Sequence, residues 1–224
     1  MSKQVTAANL KLLALLTMVI DHIAAVALTD IFPPEIWWMR LLRIVGRIAF
    51  PLFAFLLVEG FIHTSNVGRY AQRLAVFAVI SEIPFNMALC GEIVFPAWNN
   101  IFFTLLASLM LLWSLEHWKD RATQVLALLI AAVLADILCF DYGAAGVMTV
   151  AILYLARGNR WAFPGAVVVL ALASGDMTEL AALAVVPLIW CYHGQLGRTF
   201  GGKYFFYAFY PIHLLVLTAI RCMI

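Results

Sequence analysis

The feature that most constrains this chain is a succession of apolar runs too long and too poor in charge to be the helices of a water-soluble domain. A hydrocarbon core of about 30 Å takes roughly 17 to 25 helical residues at a rise of about 1.5 Å each. By that measure nine spans are predicted, at 9–29, 38–62, 69–90, 100–117, 122–139, 143–157, 161–174, 178–193 and 204–222, the sixth to eighth short enough to be tilted hairpin segments. The expected fold is all-α, a polytopic membrane helix bundle of about nine transmembrane helices. No linker, repeat or low-complexity tract interrupts it, so residues 1–224 read as one domain. Hydrophobic residues make up 65% and charged residues 12%. The mean hydropathy is +0.99, whereas a soluble domain carries about one-quarter charged residues.

Lys and Arg in short loops set orientation, and acids have little influence on it. With the N-terminus in the cytoplasm, Lys3, Lys11, Arg69, Arg73, Lys119, Arg121, Arg157, Arg160, Arg198 and Lys203 fall on the cytoplasmic side, ten of the 14 basic residues. The outer connections then hold Asp30, Glu35, Glu92, Asp141, Asp176 and Glu179, and the C-terminus lies outside. Residues 1–27 imitate a signal peptide, but adjacent Asp21 and His22 in the apolar core argue for a retained span. A net charge of +2 without a basic run or zinc-finger spacing excludes a nucleic-acid partner. Cys90, Cys139, Cys191 and Cys222 show neither metal-ligand nor redox spacing, so no metal is expected. Nucleotide, serine-hydrolase and zinc-protease motifs are absent as well.

Chemistry therefore has to come from polar residues inside the spans. Lipid offers Asp21 and His22 no water to bond, so each needs a protein partner or a wet cavity. Arg40, Arg43 and Arg47, spaced i, i+3 and i+7, string three guanidiniums along one stripe of the second span. Arg40 lies near the outer interface, where a long side chain snorkels to headgroups, whereas Arg47 is deep enough to face the bundle. Glu82 and Asn86 share a face of the third span, with Pro84 between them freeing a carbonyl. Asn99 and Asn100 open the fourth span, where Asn100 is either the helix N-cap or a site residue. His213, near Tyr210 and Pro211, is either a hydrogen-bonded core histidine or part of the site.

These depths predict a polar chamber in the outer half of the bundle. Adjacent helical positions diverge by about 100°, so Asp21 does not orient His22 in the manner of a catalytic dyad. Arg43 or Arg47 is the expected mate of Asp21, and a neutral His22 is the expected proton acceptor. Glu59 and His63 read as interface charges beside Arg69 and Arg73. The loop GQLGRTFGGK (194–203) either approaches the phosphates of a cytosolic cofactor or is a plain connector. Trp37, Trp38, Trp98 and Trp161 read as interfacial anchors.

The combination DH (21–22), GRIAFPLFAF (46–55), NNIFF (99–103), DYGAAG (141–146) and FYPIHLLVL (209–217) resembles the TraX family, whose named member is the conjugative pilin N-acetyltransferase. The match spans nearly the whole chain. The resemblance implies transfer of acetyl from acetyl-CoA to an amine in the bacterial inner membrane, with a pilin N-terminus or a similar membrane-associated acceptor as partner. It is also similar to membrane acyltransferases that move an acyl group from a cytosolic thioester to an acceptor at the far face, some with a histidine in an early helix.

On that basis His22 is expected to act as general base or as a transient acyl carrier, with Asp21 holding the Arg stripe. Arg47, with Arg43, is expected to stabilise the oxyanion or bind acetyl-CoA, and His213 to assist. Arg43, Glu82, Asn86, Asn100, Tyr210, Arg69 and Arg73 are the expected substrate-binding and cofactor-binding residues. A competing class is a transporter or lipid-handling protein, whose signature of paired broken helices in two halves is not found in the sequence. A third is an assembly factor using only the bundle surface.

Overall fold

The structure is a computed structural model that describes residues 5–197, 202 and 204–223. Lys3, Arg198 and Lys203, three of the loop cations counted above, lie outside the described residues. Every regular element among the described residues is a helix, with no strand; two isolated bridges, Val5 with Tyr192 and Asn99 with Phe140, are the only extended pairings there.

Each predicted span coincides with a helical run. The first is α1 (Ala7–His22) closed by a π-helical turn, Ile23–Ala27, and the second is α2 (Trp37–Gly46) followed by α3 (Ala49–His63). The third is α4 (Val67–Phe85) with a second π turn, Asn86–Cys90. Then come α5 (Ile101–His117), α6 (Arg121–Ile137), α7 (Gly143–Leu155) and α8 (Ala162–Ser174). A 3₁₀ segment, Met177–Val185, leads into the short α9 (Val186–Trp190), and α10 (Phe205–Met223) is last. Four of these runs, 7–27, 37–63, 67–90 and 205–223, are long and apolar enough to cross a membrane.

Two expected spans are broken rather than continuous. Pro51 has no N–H for the carbonyl of Arg47, so the second span turns at Arg47 and Ile48 instead of running straight from 38 to 62. Over 177–185 the expected α-helix is wound as 3₁₀, with Asp176 capping its first turn through Thr178 N–H.

Local signals start the other helices. Thr6 and Asn9 form a capping box at α1, Asn66 accepts from Arg69 N–H at 2.8 Å, and Asp120 accepts from Thr123 N–H at 2.8 Å. The chain alternates between two ends of the bundle. The proximal end holds the start of α1, and the distal end holds its π turn. Lys11 reaches Phe206, and Ala7 N–H donates to the Gln195 carbonyl, at the proximal end. The Asp30–Arg221 pair closes the distal end.

α7 sits at the centre, packed against α3, α5, α6 and α8, while α10 packs against α4 and the π turn that follows α1. Its core-facing residues Val147, Val150 and Ala151 are buried, as are Leu109 and Leu112 of α5. In contrast α6 turns Leu126, Leu129, Ile130, Val133 and Ile137 outward, a spacing that makes one apolar face. In water that face is a liability; in lipid it is the solvated surface. This is a membrane protein.

Candidate active site

The distal half of α1 is held close to α2 by one missing side chain. A Cβ on Gly46 would overlap the Cβ, Cγ and Oδ1 of Asp21, so only glycine lets the helices meet here. One turn earlier on the same face, Arg43 Nη1 donates to Asp21 Oδ2 at 2.6 Å. Of the two expected mates of Asp21, the ion pair is made by Arg43. Asp21 Oδ1, packed on Gly46, is buried with no hydrogen-bond partner.

Arg47 stands at the corner that Pro51 creates and points elsewhere. Its Nη2 is 3.3 Å from Asp176 Oδ2 and its Nη1 is 3.6 Å from Glu179 Oε1. Glu179 is almost completely buried, so the Arg47 charge offsets a carboxylate that lipid and protein would otherwise leave unbalanced. Arg47 Nε is buried and unpartnered among the described residues. The three arginines thus divide: Arg40 is exposed, Arg43 holds α1, and Arg47 holds the start of the 3₁₀ segment.

His22 meets a second histidine. Its Nδ1 lies 2.7 Å from Nε2 of His213, and the His213 Nδ1 lies 2.9 Å from the Phe209 carbonyl. A carbonyl only accepts, so His213 carries its proton on Nδ1. In the neutral ring Nε2 is then bare and accepts from His22 Nδ1–H. That leaves the His22 Nε2 lone pair free, and His22 lines the cavity described below. Tyr210 packs edge-on at 6.1 Å between ring centres.

The Glu82 group is engaged structurally. Asn100 Oδ1 accepts from Phe102 N–H at 3.1 Å, which makes it the N-cap of α5. Its amide donates to Glu82 Oε2 at 2.5 Å and to the Ala78 carbonyl at 2.8 Å. Asn86 is buried at the start of its π turn. Glu82, Asn86 and Asn100 lie off the cavity wall, as does the exposed Arg69, whereas Arg43, Arg73 and Tyr210 line it. Glu59 accepts from Tyr192 Oη at 2.8 Å, and His63 lines the proximal part of the cavity.

The connection between α6 and α7 closes the distal end. Tyr142 adopts φ 62° and Gly143 φ 45°, a reversal that stacks Tyr142 on Phe50 at 3.9 Å. Asp136, not Asp141, caps α7 by accepting from Ala144 N–H at 2.7 Å. Asp141 instead accepts from Trp98 Nε1 at 3.3 Å, and Thr104 Oγ1 donates to its carbonyl. Burial pushes the Asp141 carboxyl up to about 6.

A cavity of about 730 Å³ unites these groups. Its proximal part is lined by Lys11, His63, Tyr70 and Arg73, its middle by Met18, Phe53, Leu57 and Leu105, and its distal part by Asp21, His22, Arg43, Arg47, Asp141 and Tyr142. Neither Lys11 nor Arg73 forms an ion pair among the described residues, and Arg73 Nε is buried without a partner. The cavity can take a long ligand with an anionic head at one end and a reacting group beside His22 at the other.

Sequence reasoning placed Asp141, Asp176 and Glu179 in loops as outer charges and missed their part in the site. The signal available was DYGAAG itself, where two glycines and an aromatic mark a backbone held close to its neighbours. No group of His, Cys, Asp and Glu that would hold a metal occurs among the described residues.

The profile of the family described as "TraX protein" matches residues 6–221. A curated relative, "Probable fimbrial assembly protein FimC, serogroup H1" of Dichelobacter nodosus, is 32% identical over an alignment covering 96% of each chain. No solved structure matches significantly. With a helical bundle that uses the DH, GRIAFP and YPIH segments to build one chamber, and a profile that covers almost its whole length, this chain belongs to the TraX family.

Proposed function

We propose that this protein is an inner-membrane acetyltransferase that moves acetyl from acetyl-CoA to an amine, the N-terminus of a pilin or a similar membrane-associated acceptor. In this reading the chain crosses the membrane nine times and the N-terminus is cytoplasmic. The proximal end then faces the cytosol and the distal end the periplasm. Membrane lipids solvate the α6 face.

The observation that carries the reading is the cavity that joins a basic mouth, whose Lys11 and Arg73 make no ion pair among the described residues, to the His22 chamber. Acetyl-CoA is polyanionic at one end and carries its thioester at the end of a long arm. Lys11 and Arg73 are the cations for the phosphates, and the apolar midsection suits the arm. From Lys11 to His22 the helix rises about 16 Å, so the donor need not cross the whole bundle to be attacked.

The chemistry balances on the residues present. The neutral amine nitrogen attacks the thioester carbonyl carbon, and His22 Nε2 takes a proton from that nitrogen as the tetrahedral adduct forms. The carbon–sulfur bond then breaks, the thiolate of CoA takes the proton from His22, and amide and CoA thiol remain. His213 Nε2 accepts from His22 Nδ1–H throughout, which supports the imidazolium. Arg47 lines the same cavity, and its guanidinium is the cation offered to the oxyanion. Tethering by Arg43 keeps Asp21 from competing for His22.

The test uses full-length protein in nanodiscs with isotopically labelled acetyl-CoA and a peptide bearing a free amine, followed by mass spectrometry. Label transferred by wild type and abolished in a folded His22→Ala variant is the expected result. Label that stays in acetyl-CoA while a solute or lipid is bound and moved would overturn it.

A further inference from the structure

An amine in water is a cation, and a cation is not a nucleophile. An acceptor R–NH3⁺ has to shed one proton before it attacks and another as the adduct forms, whereas His22 Nε2 accounts for the second alone. A further base belongs beside His22 in the distal part of the cavity.

Asp141 is placed for that task. It lines the distal part of the cavity that reaches His22. Asp21, the other acid on the cavity wall, is engaged by Arg43; Asp176 and Glu179 are engaged by Arg47 and Asp30 by Arg221, while Glu35 and Glu92 lie off that wall. Asp141 has no ion pair among the described residues, and it is relieved of helix capping by Asp136. Its side chain accepts one side-chain hydrogen bond, from the exposed Trp98, whose ring stands at the distal surface. The Asn99–Phe140 bridge and the Thr104 bond to its own carbonyl hold its backbone. A carboxylate held at the N–H edge of an exposed indole is the chemistry that recognises an ammonium, through ion pairing.

We propose that Asp141, with Trp98, binds the ammonium of the acceptor and takes its first proton. This rests on the acetyl-transfer reading. The step is R–NH3⁺ plus Asp141 carboxylate giving R–NH2 plus Asp141 carboxylic acid. The amine then moves to His22, and Asp141 returns its proton to water at the distal end. Burial supports the role by pushing the carboxyl up to about 6. That lies within about two units of an α-amine at roughly 7.7–8.0. Arg47, Asp21, Glu179, Tyr142 and Tyr210 are the other charged or titratable groups whose fields reach it.

A peptide with a free α-amine and no lysine decides the matter. Wild type is expected to acetylate it. Asp141→Asn is expected to raise KM for that peptide by about tenfold and to leave KM for acetyl-CoA unchanged. The variant should recover as pH rises to about 9, where the amine is already neutral in water; a merely structural role would not produce that recovery. Equal KM and pH profile in Asp141→Asn overturns the proposal. If wild type transfers no label to the peptide, acetyl transfer to amines is what fails. Ammonium recognition is then read from Trp98 fluorescence with the free-amine peptide alone. A saturable change in wild type that is absent in Asp141→Asn supports it, and the same response in both overturns it.

Discussion

Gly46 has no side chain at the place where Asp21 has its carboxylate, and the Asp21–Arg43 pair exists because of that absence. Gly46→Ala should cost about 1–3 kcal/mol of stability through overpacking. The cost should shrink in an Asp21→Gly background, where the colliding Cβ, Cγ and Oδ1 are all gone. A double-mutant cycle of unfolding in nanodiscs measures this, and strict additivity would show that the two positions do not meet.

His213 acts on His22, not on the substrate, since it fixes which nitrogen of His22 is bare. His213→Ala should lower kcat by on the order of 100-fold with KM nearly unchanged. His213→Gln, whose side-chain carbonyl accepts from Nδ1–H, should recover part of the loss. Nitrogen NMR of labelled histidine reads the tautomer directly. Wild type should show His22 protonated at Nδ1, and a bare Nδ1 would refute the assignment.

Arg47 is the counter-charge of a buried acid. Arg47→Met should destabilise by about 3–5 kcal/mol because Glu179 is left without its cation. Adding Glu179→Gln should return much of that loss. Thermal unfolding of the single and double variants measures both effects.

Arg73 and Arg69 separate a cavity cation from a surface one. Arg73→Gln should weaken the thermal stabilisation given by CoA, corresponding to about a tenfold loss of affinity. Arg69→Gln should leave the stabilisation intact, because Arg69 is exposed and off the cavity wall. Equal losses in both would mean that the anion is held by surface charge.

Asp141 should titrate in the folded protein near pH 6, where its proton changes the hydrogen bond to Trp98. The fluorescence difference between wild type and Trp98→Phe should show that midpoint and lose it in Asp141→Asn. Because folding raises the carboxyl from its ordinary value of 3.8 to about 6, the native state binds the proton more tightly. This contribution to stability is present below pH 3.8 and is lost as pH rises towards 6. The melting temperature of wild type relative to Asp141→Asn should fall across that window and level off above it.

Local physics determined a good deal. Apolar run length located every helical run, because lipid demands that backbone groups be satisfied within each segment. The cost of bare charge in lipid singled out Asp21, His22 and Arg47, while side-chain type left Asn100 open between helix cap and site residue until the structure showed it capping α5. The tertiary structure decided which partner each received. Arg43 and Arg47 lie on one helical stripe, yet Gly46 draws one to Asp21 and Pro51 turns the other towards Asp176 and Glu179. His22 and His213 are 191 positions apart, and only the packing of α10 against the end of α1 brings them within 2.7 Å. The cavity belongs to no segment of the chain. It is the space the helices leave between them, and spacing along a sequence carries no information about space between elements distant along the chain.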